Sequence, residues 1–188
     1  MGAHGAYAAV WEVITVEPSS EVYRAIRSLR VVRNYLPEPL RDEHRLAILE
    51  AARWTGSSKN RQDWVFVVVR DRERLDRLAG CGDFTTPLRR APEAIVPVGL
   101  PGSYEWDLGR ASQNIMLAAA ALGVGSCPVT MHRESCAREV LGVPDDHRSR
   151  YAIALGYPDH AAERRARERS PLHGRKPLDE VVRWETFS

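Results

Sequence analysis

The chain has 188 residues, 44% of them hydrophobic and 28% charged, with a formal net charge of +2. That length predicts one domain with its own core, and the composition is that of an ordinary soluble protein. A charge so near zero gives no reason to expect a nucleic acid or a membrane surface as partner, whereas a phosphate-bearing small molecule needs only two or three well-placed cations.

The first segment, residues 6–16, is apolar but for Glu12 and has no basic stretch before it, so it is too short for a membrane span and poorly built as a signal peptide. Its alternation from Val10 to Val16 predicts an extra strand, and residues 1–19 read as an N-terminal extension to a domain covering 20–188. Ser19 and Ser20 are placed to cap a helix with Val22, Ile26 and Leu29 on one stripe. Pro37 and Pro39 break the chain, after which Asp42 can cap a second helix carrying Leu46, Leu49 and Ala52, ending near Gly56.

Trp64 to Val69 (WVFVVV) is a continuous β-branched run, predicting a strand buried on both faces. A charged helix follows from Asp71 to Ala79 with Leu75 and Leu78 inward, then a strand from Ala94 to Leu100 that Pro97 would place at an edge or bulge. The longest helix, from about Trp106 to Leu122, stops at Gly123, where a left-handed residue is favoured. Its second half is apolar all round, so central or at an interface. A strand from Gly125 to Thr130, a helix from Glu134 to Leu141 ending at Gly142, and a buried strand from Tyr151 to Leu155 complete the regular pattern. Asp159 to Arg169 reads as an exposed arginine-rich connection, and the tail from Pro177 is amphipathic. Alternating helices and strands imply an α/β or α+β sandwich, with helices covering a mixed sheet.

Cys81, Cys127 and Cys136 are an odd count with no C-x-x-C pair. This argues against a disulfide framework and a structural zinc site, and fits a reducing, cytoplasmic setting. There is no G-x-S-x-G elbow and no H-E-x-x-H. Gly123-Val-Gly125 follows a helix instead of a strand and lacks the third glycine of a dinucleotide loop.

Three segments remain. LRVVRNY (29–35) puts two arginines three apart at a helix end; TGSSKNRQDW (55–64) is a polar loop before a buried strand; GRKPL (174–178) lies near the C-terminus. Singly, each has a plainer reading: a solvated helix end, an ordinary loop, an exposed turn. Together and in this order they resemble the nitroreductase family, from about Ala25 to Val182. Arg30 and Arg33 stand in its arginine-rich segment, and Ser57, Ser58, Asn60, Gln62 and Trp64 in its serine-asparagine loop. Gln113 and Asn114 precede the Gly123-Val-Gly125-Ser-Cys127 element, and Arg175-Lys-Pro-Leu178 closes the pattern.

The resemblance implies FMN, NAD(P)H as electron donor, a homodimer with flavin at the subunit interface, and a small-molecule acceptor such as a nitroaromatic or quinone. It implies no catalytic side chain and no metal, because the flavin carries the chemistry. The cofactor-binding set it implies is Arg30, Val31, Arg33, Ser57, Ser58, Asn60, Gln62, Cys127, Pro128, Val129, His173 and Arg175. Guanidinium forks bind a phosphate dianion bidentately, which suits Arg30 and Arg175. A cation beside the N1–C2 edge of reduced flavin raises its potential, which suits Arg33. Ser57 and Asn60 offer hydroxyl and amide donors, from the second subunit on the family's pattern.

The chain also departs from that pattern. Leu29 and Val31 stand where relatives carry an arginine and a serine, Gly56 and Asp63 replace prolines, and His173 replaces a lysine. Fewer donors imply modest FMN affinity. Between the second strand and the long helix only Pro101 to Tyr104 is available, too short for the helical lid of larger relatives. The same fold also hosts specialised flavin-dependent oxidations and dehalogenations, and a flavin-binding domain without enzymatic activity has the same outline.

Overall fold

In the computed structural model, residues 21–170 and 174–187 are described; residues 1–20, with the expected strand and the Ser19 and Ser20 caps, and His173 lie outside them. Four strands, β1 (Trp64–Val69), β2 (Glu93–Gly99), β3 (Gly125–Thr130) and β4 (Tyr151–Gly156), form one sheet in the order β1-β2-β4-β3, every neighbouring pair antiparallel.

Strand alternation divides the core in two. Ala94, Val96 and Val98 of β2 and Ala152 and Ala154 of β4 face one way, toward α3 (Arg72–Ala79), α4 (Thr86–Arg90) and α6 (Glu134–Leu141). Ile95, Ile153 and Leu155 face the other way, toward α2 (Asp42–Arg53) and α5 (Glu105–Ala121). The result is a helix-sheet-helix sandwich, the period-two pattern of each strand filling both layers. Helix ends follow local chemistry: the Asp71 carboxylate accepts from Arg74 N–H at the start of α3, and Gly142 ends α6 in the left-handed region at φ 66.

Several elements depart from the sequence reading. β1 is an edge strand, only partly covered, with Val65 half exposed. β2, expected at an edge because of Pro97, is instead interior and buried along its whole length. Pro97 is tolerated because β4 pairs with β2 only from Glu93 to Ile95, so the missing N–H falls beyond that ladder. The arginine-rich stretch expected to be a connection forms α7 (His160–Glu168), with Asp159 accepting from Ala162 N–H. Helices α4 and α8 (Leu178–Val181) were not expected as such. Asp42 is the first residue of α2; the residue before it, Arg41, holds the cap position without a side-chain bond.

The cysteine reading also needs correcting. Cys81, in the turn after α3, and Cys136, in α6, form a disulfide with Cα atoms 5.5 Å apart across a sequence separation of 55. An odd count leaves one thiol over, here the buried Cys127, but does not prevent two distant cysteines from meeting once α3 and α6 pack on the same face.

α1 (Glu21–Ser28) buries none of its residues: Val22 is 70% and Ile26 54% exposed, and Leu46 of α2 is 65% exposed. No helix among the described residues is long and apolar enough to cross a membrane.

Candidate functional site

The segment after α1 runs along the outer edge of β3. Val32 N–H donates to Ser126 O at 2.8 Å, and a Cβ at Gly125 would come within 2.7 Å of the Val32 side chain, so glycine there is what lets the segment approach. Tyr35 then bridges to Pro158 and its hydroxyl donates to Val32 O at 2.5 Å. Three of the candidate residues lie in this seam. Arg30 is exposed, with Nη1 donating to Arg27 O and Leu29 O. Val31 is half-buried against the core. Arg33 is exposed and close enough to Cys127 and Tyr35 for its charge to favour their ionised forms.

Burial dominates over that charge. It raises the Cys127 thiol, with Arg33 opposing and Glu163 adding a smaller upward push. It also raises the Tyr35 phenol, with Cys127 and Glu163 adding and Arg33 opposing. Both groups are therefore neutral near pH 7, and Arg33 is the cation whose charge reaches them.

Within β3, Cys127 and Val129 turn their side chains into the core while Pro128 is exposed, so the first two have only backbone to offer. Ser126 bonds outward to Val32, and two-residue alternation directs the Pro128 carbonyl and Thr130 N–H toward the same edge. Thr130 was not among the sequence candidates. Its signal was only its phase relative to Ser126, which is invisible until the strand's partner is known.

The polar loop, residues 55–63, lies at the opposite corner. Ser57 Oγ accepts from Gln62 N–H at 2.9 Å, and Gln62 Nε2 donates to Asn60 O at 3.3 Å. Ser58 and Asn60 are exposed within a single 3-10 turn. Lys59, Asn60 and Gln62 all have positive φ, 53°, 53° and 54°. Such backbone costs on the order of 1–3 kcal/mol per residue and gathers at ligand sites. The loop is braced from α5 and the β2–α5 link: Asn114 Nδ2 donates to Thr55 Oγ1, Arg110 to Gly56 O, and Arg61 to Gly102 O. Gln62 thus serves to close the loop, while the Ser57 hydroxyl hydrogen and the exposed Asn60 carboxamide are the groups it presents.

These two halves do not meet in one chain. The loop precedes Trp64, which pairs with Gly99 at one end of the sheet. The arginine seam lies beside Gly125, which pairs with Gly156 at the other end, and β1 and β3 are opposite edges. Three strand spacings and one strand length put the halves roughly 25 Å apart along the diagonal, more than twice the span of a flavin ring system.

Arg175 is exposed, with Nη1 donating to Gly174 O. None of Arg30, Arg33 and Arg175 forms an ion pair among the described residues. By contrast Arg45, Arg53, Arg61, Arg72 and Arg133 each hold a carboxylate. An open cleft of about 340 Å³ between Pro37, Pro39, Arg70 and Arg90 contains none of the candidate residues. Among the described residues no cluster of His, Cys, Asp or Glu is placed to hold a metal ion.

The chain is similar in sequence and fold to known proteins. The family described as the nitroreductase family matches residues 26–81 and 88–157. A protein of Archaeoglobus fulgidus, to which an NADH dehydrogenase/NAD(P)H nitroreductase activity is attributed, is 35% identical over 149 residues, 73% of this chain and 86% of that protein. The NADPH-flavin oxidoreductase of Vibrio harveyi is 28% identical over 166 residues, 77% of this chain and 68% of its own length. The solved structure of an FMN-dependent nitroreductase from Clostridium difficile has a TM-score of 0.71 at 27% identity, covering 87% of this chain and 98% of that one.

Proposed function

The chain belongs to the nitroreductase family of oxidoreductases, and from that premise we propose that it is a cytoplasmic, FMN-dependent NAD(P)H oxidoreductase that works as a homodimer by a ping-pong cycle. The observation that carries this reading is the seam in which residues 30–33 lie along β3, with Arg33 as the positive charge beside Cys127. Bound FMN would supply the redox chemistry, accepting hydride from NAD(P)H and passing electrons to a nitroaromatic, quinone or similar acceptor.

The residues present fit that cofactor. Arg30 and Arg175 hold guanidinium donors without a carboxylate partner among the described residues, as a phosphate dianion requires. Arg33 offsets negative charge that develops at the N1–C2 edge. Val31, where a hydroxyl is absent, offers backbone only. The β3 edge contributes the Pro128 carbonyl and Thr130 N–H, and Cys127 and Val129 form its buried floor. His173 completes the set on the family's pattern. The diagonal separation of the loop from the seam supports assembly from two copies, the second supplying Ser57, Ser58 and Asn60, with Gln62 holding that loop closed. No side-chain acid is needed to receive hydride, which agrees with a seam whose ionisable neighbours, Tyr35 and Cys127, are held neutral.

The link between β2 and α5 is a tight turn, with Ser103 N–H donating to Leu100 O, and carries no lid helix. We read this as access for acceptors of varied shape. The test is the visible spectrum of the purified chain and identification of any released flavin. A yellow protein bleached by NAD(P)H and recoloured by a quinone is the expected result; a colourless protein that FMN does not tint sinks the reading.

A further inference from the structure

We propose that Glu163, in the first turns of α7, is a positioning residue that sets the direction of the Arg33 side chain; the inference rests on the flavin reading above. The arginine-rich stretch that contains Glu163 reads in sequence as a solvated connection, and Glu163 lies 130 positions from Arg33.

One carboxylate oxygen, Glu163 Oε1, accepts three hydrogen bonds: from Arg33 N–H at 2.8 Å, from Asn34 N–H at 2.7 Å and from Asn34 Nδ2 at 2.7 Å. In an extended strand consecutive N–H groups point to opposite sides. Their convergence on one oxygen therefore bends the chain directly after Val32, the last residue stitched to β3 through Ser126. Successive N–H groups turned inward make a small concave anion site, and the Glu163 carboxylate fills it. The bend fixes where the Arg33 Cβ points, and so which part of the β3 edge its guanidinium reaches.

Asn34 is held on every side. Its carbonyl accepts from Asp159 N–H at 3.0 Å, its side-chain oxygen accepts from Arg90, and its two N–H groups go to Glu163. Leu36 N–H donates to Tyr157 O at 2.8 Å, continuing the lock. Asp159 in turn caps α7, so the carboxylate is delivered by a helix whose own start is anchored. Among the described residues the Glu163 carboxylate bonds Arg33 and Asn34 and no group of the β3 edge, Arg30 or Arg175; it acts through the backbone of Arg33.

The experiment uses the full-length dimer loaded with FMN and measures midpoint potential, FMN affinity and the rate of reduction by NADPH. Glu163→Met keeps side-chain length and removes the acceptor; Glu163→Gln keeps an acceptor oxygen and removes the charge. Glu163→Met is expected to lower the potential, as loss of the Arg33 charge in Arg33→Ala should, and to weaken FMN roughly tenfold, the effect of misplacing one charge-assisted contact. Glu163→Gln is expected to hold FMN within roughly threefold, without lowering the potential, because the bend survives. In an Arg33→Ala background Glu163→Met should not shift the potential further. If Met and Gln raise the potential together, Glu163 acts only as a negative charge and the proposal is overturned; an unchanged Met variant overturns it too. Should Glu163→Met not fold, Asn34→Ala, which removes one of the three donors, must still lower the potential, and no shift overturns the proposal. Wild-type protein that binds no FMN overturns the functional reading, whereas wild type that binds FMN beside an inert Met variant overturns this inference alone.

Discussion

Arg45, on α2, grips Glu93, on β2, through Nε and Nη2, with both side chains almost entirely withdrawn from water. A third contact runs from Arg45 to Asp42, and a fourth to Leu40 O. The pair pins the start of α2 to the sheet, and α2 leads directly into the loop that carries Ser57 and Asn60. Removing one partner of a buried pair leaves an uncompensated charge. Glu93→Leu alone should therefore cost about 3–5 kcal/mol. Arg45→Met combined with Glu93→Leu should cost less than either single change. Urea unfolding of the three variants checks this; an additive double mutant would show that the two groups are not coupled.

The Cys81–Cys136 bridge closes a loop of 55 residues. Chain entropy assigns such a closure about 4 kcal/mol. At this chain length that is a fall in Tm on the order of 10 °C when the bond is reduced or when Cys136 is changed to serine. Denatured, unreduced protein should titrate with one thiol, Cys127, and reduced protein with three. The same titration on protein taken rapidly from cells tests the cytoplasmic assignment, since a reducing compartment favours the dithiol. Three thiols in air-oxidised protein would remove the bridge.

Much of the fold was legible because it rests on local pattern. Asp71 at a helix start, Gly123 and Gly142 at helix ends, and the apolar runs 64–69 and 151–155 each announce an element through side chain or φ requirements alone. What was not legible depends on partners. Whether WVFVVV is interior or at an edge is decided by which strand lies beside it. Pro97 sits in an interior strand because the pairing of β2 with β4 stops at Ile95, two residues before it. The arginine seam was found by spacing, but Glu163 and Thr130 were not, since one is distant in sequence and the other acts through its backbone.

Tyr35 and Cys127 carry a pH prediction. Burial raises both folded-state pKa values above those of the unfolded chain, first by desolvation. In the unfolded chain the thiol ionises near pH 9 and the phenol near pH 10, and in the folded chain both resist. The stability they contribute is complete below about pH 8.5 and is lost as pH rises beyond the unfolded values. Tyr35→Phe also removes the hydrogen bond to Val32 O, which should cost about 1 kcal/mol near pH 7. Its alkaline loss should nevertheless be shallower than that of wild type. Thermal melts from pH 7 to 11 compare the two slopes, and parallel curves would mean that Tyr35 titrates normally.

Among the described residues, Val22, Ile26 and Leu46 are exposed apolar side chains on α1 and α2. On the proposed dimer, a second copy covers them and supplies its loop of residues 55–63 to the arginine seam. Leu46→Asp and Ile26→Asp should leave each chain folded, because neither side chain is part of the core. Each should shift the mass in solution from dimer to monomer and release FMN. Light scattering with in-line absorbance reads mass and flavin together. A monomer that keeps its flavin at micromolar concentration would contradict assembly of the site from two chains.

The anchoring of the phosphate gives the last test. Arg30 and Arg175 come from opposite ends of the chain, and neither is tied to a carboxylate among the described residues. If both reach the FMN phosphate, losing either removes a charge-assisted pair worth on the order of 1.5–3 kcal/mol, which is roughly ten- to a hundredfold in affinity. Riboflavin has the same ring and ribityl chain but no phosphate, so its affinity should change little in Arg30→Ala or Arg175→Ala. Lysine at either position keeps the charge and loses the fork, and should recover only part of the binding. The contrast between the two ligands is what identifies the phosphate contact, because a general disturbance of the seam would weaken both.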